Sequence, residues 1–163
     1  MIITRYEDVL QATGSVGIIL ISCIPMLMDT GGNCGAQSST LIIRGLSLGQ
    51  ITLKDFLKAL WKEFRVALIV GAVLFVFTLC RVKFINPLFM TDGSEISWPV
   101  AFVVAGALFC TIMLAKALGC AMPMLAKKLK LDPALMASPM ITTVVDMSSL
   151  FIYFNIAKLV LHI

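Results

Sequence analysis

The feature that most restricts this chain is a series of long apolar runs with few or no charges. From Val9 to Met28 no residue carries a charge, and about 20 mostly apolar residues are enough for a helix to cross the hydrocarbon of a bilayer. Gly14, Gly17 and Pro25 interrupt the run without adding charge, and Asp29 follows it. Val66–Cys80 is a second such run, shorter but bracketed by Arg65 and Arg81, whose stems can reach toward headgroups. A third opens at "SWP", where Trp98 suits the interface and Pro99 a first helical turn, and continues to about Met122. The last runs from about Ala134 to Leu161. The hydrophobic share of 60% and mean hydropathy of +1.00 fit this reading, since soluble domains hold roughly 45–50% apolar residues. The expectation is an all-α, polytopic membrane bundle of four transmembrane helices in one domain, residues 1–163, with spans over about 9–43, 66–84, 98–123 and 134–161.

The first span is expected to break around Gly31 and Gly32, then to resume as a second helical piece reaching Arg44 or Leu46. Residues 48–65, "LGQITLKDFLKALWKEFR", place Lys54, Lys58 and Lys62 at steps of four, with Phe56, Leu57, Leu60, Trp61 and Phe64 elsewhere on the wheel. That pattern predicts an amphipathic helix lying on the membrane surface before the chain turns inward. "NPLFMTDGSE" and "LAKKLKLDPAL" supply turn chemistry between the later spans. The opening "MIITRYEDVLQ" lacks a basic region followed by an apolar core and a cleavage site, so an uncleaved first helix is expected.

Arg44, Lys54, Lys58, Lys62 and Arg65 lie between the first two spans, and Lys127, Lys128 and Lys130 between the last two. Both connections are therefore expected in the cytoplasm and both termini outside, in a multi-pass protein of the cell membrane. Although the net charge is +4, the basic residues are scattered between apolar runs, which argues against a nucleic-acid partner. Cys23, Cys34, Cys80, Cys110 and Cys120 include no C-x-x-C pair and read as small buried side chains rather than disulfides or metal ligands. "GGNCGAQSST" lacks the lysine of a phosphate loop, and His162, the sole histidine, has no nucleophile assigned to it. An enzyme is not expected.

Asp146 is the residue that needs an explanation. It falls near the middle of the last span, where an ionised aspartate costs about 2.5–3.5 kcal/mol on insertion scales. No basic residue lies at a similar depth to neutralise it, Lys116 being read as near enough to the cytoplasmic end of its helix to snorkel. Ser138, Thr142, Asp146 and Ser149 or Leu150 recur at steps of three or four, a small polar stripe suited to water. The same stripe would suit close helix packing. In the first span Asp29, Asn33 and Gln37 also recur at steps of four, on a different face from the small residues Gly31, Gly35 and Ser39. Oxygen ligands without sulfur or imidazole suit a hard cation such as Mg²⁺ that keeps much of its hydration.

"PMLMDTGGNCGAQSSTLIIRGL" and "LDPALMASPMITTVVDMSSLFIYFNIAKLVL" resemble the transmembrane domain of the MgtE family of magnesium channels, with T-G-G-N-x-G-x-Q-S-x-T, D-P-A and the aspartate before "IYF" in the family's order. The resemblance implies a homodimer with a pore lined by the helix carrying T-G-G-N and by the last helix. It implies Asp146 as the main selectivity residue for largely hydrated Mg²⁺, Asn33 as a pore-lining group, and the Thr142 carbonyl as acceptor for metal-bound water. Asp132 matches an acidic position at the cytoplasmic mouth, and Asp29 a contributing one. Mn²⁺ or Co²⁺ are further candidate ions. Members of the family usually carry cytosolic sensor domains and five spans, so this chain is expected to conduct without that sensor or to take its regulation from a separate subunit. Two other functions fit the same residues: a Na⁺- or H⁺-coupled exchanger of divalent cations with Asp146 as coupling carboxylate, and a non-conducting auxiliary subunit.

Overall fold

The computed structural model describes residues 15–85, 96–136 and 139–161. Ser138 and His162 lie outside the described residues. Four helices dominate: α1 (Ser15–Ser47), α2 (Phe56–Cys80, continued by a π turn over Arg81–Ile85), α3 (Trp98–Lys128) and α4 (Pro139–Leu161). Short 3-10 turns, Leu53–Asp55 and Pro133–Met136, lead into α2 and α4. All four helices are long and apolar enough to cross a membrane.

α3 is the hub. It packs against α1, α2 and α4; α1 also packs on α4, whereas α2 rests mainly on α3. The buried residues explain the difference. α3 buries a broad face along its length, including Val100, Val104, Leu108, Ile112 and Ala115. On α2 burial is confined to Glu63, Ala67, Gly71 and Thr78, one stripe at helical spacing. Leu68, Ile69, Val73, Val76 and Phe77 of α2 are exposed. Exposed apolar surface on that scale marks contact with lipid or a partner.

Three sequence expectations change here. No break occurs at Gly31 and Gly32, because α1 is helical without interruption from Ser15 to Ser47. In lipid an unbroken helix satisfies every backbone group within the segment. The missing side chains serve packing instead: a Cβ on Gly31 would lie 2.6 Å from Thr111 Cγ2, and one on Gly35 would lie 2.9 Å from Ile141 Cγ2. The residues read as a surface-lying amphipathic helix run straight on into the second span, with no inward turn near Arg65. The Asp55 carboxylate accepts from the Thr52 amide at 3.1 Å and the Thr52 hydroxyl at 2.6 Å, which anchors the start of that helix. Lastly, the five cysteines are free, but only Cys23, Cys34 and Cys120 are buried.

The two basic connections meet at one end of the bundle, where Lys127 Nζ donates to the Leu46 carbonyl at 3.2 Å. That bond caps α1 from the end of α3, satisfying one of the carbonyls every helix C-terminus leaves open. Toward the opposite end Lys83 donates to the Ile96 carbonyl at 2.9 Å and lies 5.3 Å from the Trp98 ring centroid. Between the ends, the Tyr153 hydroxyl donates to the Leu20 carbonyl at 2.9 Å, joining α4 to α1 inside the core.

Candidate functional site

α1 leaves one face uncovered along its whole length. Ile18, Ile21, Pro25, Asp29, Asn33, Gln37, Thr40 and Arg44 are all exposed, spaced by three or four residues as one helical face requires. The face changes character midway. Its first turns are apolar, whereas from Asp29 onward they offer a carboxylate, two amides and a hydroxyl. Asn33, Ala36, Gln37, Thr40 and Leu41 line a shallow depression there.

α4 brings Asp146 to the edge of this face. Gly32 makes the approach possible: a Cβ at that position would stand 3.2 Å from Thr142 Cγ2 and 3.5 Å from Asp146 Oδ1. Asp146 is half-buried. Among the described residues Asp146 has no hydrogen bond and no ion pair. Two carboxylates thus stand at mid-helix, Asp29 on the open face and Asp146 at its edge, with no ion pair among the described residues. An arrangement of this kind attracts a cation, and oxygen-rich surroundings favour a hard one.

The remaining sequence candidates divide. Thr142 lies within the cluster; its hydroxyl donates to the Pro139 carbonyl at 3.1 Å, which leaves the hydroxyl's lone pairs and the Thr142 carbonyl to accept from a hydrated ion. Asn33 and Asp29 share the open face. Asp132 does not join them. It sits before the Pro133–Met136 turn and accepts from the Ala134 amide at 2.9 Å, while Asp146 is about 10 Å along α4 from Pro139 at 1.5 Å per residue. Ser149 also leaves the expected stripe: it is buried and donates to the Val145 carbonyl at 2.6 Å. No group of three or more histidine, cysteine, aspartate or glutamate side chains that could hold a metal occurs among the described residues. One chain therefore supplies two carboxylates and amide oxygens, a set suited to holding an ion through its water shell.

A second polar cluster escaped the sequence reading. Lys116, expected to snorkel, is instead buried and stands 3.5 Å from Glu63 of α2. Ser38 of α1 donates to the same Glu63 oxygen at 2.5 Å. The position of Lys116 gave the available signal. Twelve residues separate it from Lys128, about 18 Å along a helix, too far for its stem to reach the end. A buried lysine then demands an acid, and Glu63 was hidden among Lys62, Phe64 and Arg65.

The family model for MgtE, described as a divalent cation transporter, matches residues 24–156. The chain is 35% identical over 161 residues to the magnesium transporter MgtE of Bacillus subtilis, which covers 99% of this chain and 33% of that protein. Its identity to the magnesium transporter MgtE of Thermus thermophilus is 33%, with the same coverage. To that of Enterococcus faecalis it is 31%, over 97% of this chain and 32% of the other. The chain thus spans about a third of the length of these curated relatives. The matched region takes in α1 from Ile24, all of α2 and α3, and α4 through Ile156, so that both helices bearing the unbalanced carboxylates fall inside it: this chain belongs to the MgtE family of divalent cation transporters.

Proposed function

We propose that residues 1–163 form one pore domain that passes largely hydrated Mg²⁺ across the cell membrane, with Asp146 as the residue that selects the ion. The observation carrying this reading is Asp146, without a hydrogen bond or ion pair among the described residues, at the edge of an open, amide-lined face of α1 that also bears Asp29. The relatives are magnesium transporters by name, and a small divalent ion suits carboxylate and amide oxygens while retaining several waters. Mn²⁺ and Co²⁺ are the competitors against which selectivity is to be measured.

The polar face is half of a lining. A second copy related by a two-fold axis would bring its own Asp146 and Asn33 opposite the first, doubling the negative charge that a divalent ion sees. Neutralisation by the ion offsets the cost of keeping the carboxylates in the membrane. The Thr142 carbonyl and the Asn33 and Gln37 amides accept from the ion's waters, so its shell need not be stripped. Passage follows the electrochemical gradient. Asp132 stands at the basic, cytoplasmic mouth, with both termini on the other side.

Growth of a host lacking its own Mg²⁺ uptake tests the assignment. Expression of the native chain restores growth at low Mg²⁺, and Asp146→Ala abolishes that rescue. Rescue by the alanine variant at the native level overturns the role given to Asp146. A current that vanishes without Na⁺ or a pH gradient would select the coupled exchanger instead.

A further inference from the structure

The Ser38–Glu63–Lys116 cluster takes no part in that lining. Its members come from three helices, and the Glu63 and Lys116 side chains are only 7% and 6% exposed. It lies beside the closest crossing of α1 and α3. Gly119 stands so near the Gly35 carbonyl that a Cβ would overlap it, and such a Cβ would be 2.9 Å from Ser38 Cβ.

Contacts between glycines are close but smooth. Dispersion attraction between such surfaces changes little as one helix rolls against the other, so the crossing holds α1 near without fixing its rotation. A hydrogen bond behaves differently, because it weakens steeply off line. Ser38 points such a bond at a carboxylate that is itself held by Lys116. Successive helical residues advance by about 100°, so Gln37, Asn33 and Asp29 stand roughly 100°, 140° and 180° around α1 from Ser38. A restraint on one side of the helix thereby aims the other side.

We propose that Ser38, Glu63 and Lys116 are positioning residues that fix the roll of α1 and so keep Asn33 and Gln37 on the open face to whose edge α4 brings Asp146. The inference rests on the reading of that face as an ion lining. A buried ion pair is often replaceable by apolar side chains without loss of stability. Orientation, rather than stability, is what this cluster supplies.

The test follows the roll of α1 directly. The full chain with Cys80→Ser, Cys110→Ser and Gln37→Cys is reconstituted in liposomes and treated with a charged methanethiosulfonate reagent. Removing the whole cluster as Ser38→Ala, Glu63→Met and Lys116→Met should leave a folded protein whose thermal midpoint is unchanged or higher. In that protein the Gln37→Cys thiol should react about tenfold more slowly, because it spends less time facing water. The half-saturating Mg²⁺ concentration for uptake should rise along with it. Ser38→Ala alone, which deletes one oxygen, should slow labelling in the same direction and decides the matter if the triple variant fails to fold. A labelling rate equal to that of the intact cluster overturns the proposal. Labelling is read without any flux, so it stays informative even if Asp146→Ala leaves Mg²⁺-dependent growth intact, the result that would sink the transport reading.

Discussion

Charge enters the apolar bundle at two places, and the chain treats them in opposite ways. At Glu63 and Lys116 the opposite charges are brought together, enclosed, and supplied with a hydroxyl from a third helix. Asp29 stands on an uncovered face and Asp146 at its edge, with no counter-charge paired to either among the described residues. Both arrangements carry the cost of desolvating ions. The first site meets it internally and can therefore stay shut. The second leaves it to be met from outside, as the proposed passage of cations requires.

The contrast can be broken at the closed site with the largest effect. Lys116→Met leaves the Glu63 carboxylate buried without its partner and should cost about 3–5 kcal/mol. The thermal midpoint in detergent should fall accordingly, and adding Glu63→Gln should restore most of it. Equal stability of Lys116→Met and native protein would mean that the pair is not dry. Gly119→Val is expected to cost somewhat less, about 1–3 kcal/mol for overpacking, since the new side chain meets the Gly35 backbone, which cannot swing aside.

At the open site the sign reverses. Asp146→Asn removes a charge that no described residue balances, so the thermal midpoint should hold or rise while Mg²⁺ uptake in liposomes falls more than about tenfold, equivalent to at least about 1.4 kcal/mol. Loss of stability in that variant would show that Asp146 has a structural partner. The smallest effect sharpens the comparison by sitting between the two sites. Tyr153→Phe removes the bond to the Leu20 carbonyl and should cost about 1 kcal/mol in stability, with uptake per folded molecule unchanged.

Much of this was legible in residue order. Apolar length predicts the spans, because lipid admits few other structures, and the steps of four through Asp29, Asn33 and Gln37 predict a shared face because every helix imposes them. Asp146 stood out as a carboxylate near the middle of an apolar span. Other features depend on which helix meets which. Glu63 and Lys116 are 53 positions apart, and Glu63 sits among cations that make it look like part of a wet surface. Gly31 and Gly32 misled for a related reason: adjacent glycines end helices in water, where a freed backbone can be solvated. In this bundle they instead admit Thr111 and Thr142. Their role becomes visible only once α3 and α4 are in place.

The central position of α3 carries a consequence for heredity. It holds none of the residues assigned to ion passage, yet it touches every other helix, while α2 depends mainly on it. Defects introduced into α1 or α4 should therefore be repaired most often by second-site suppressors in α3. The outward face of α2 should drift freely among apolar residues, so a selection for revertants would draw the bundle's wiring as a map of compensating alleles.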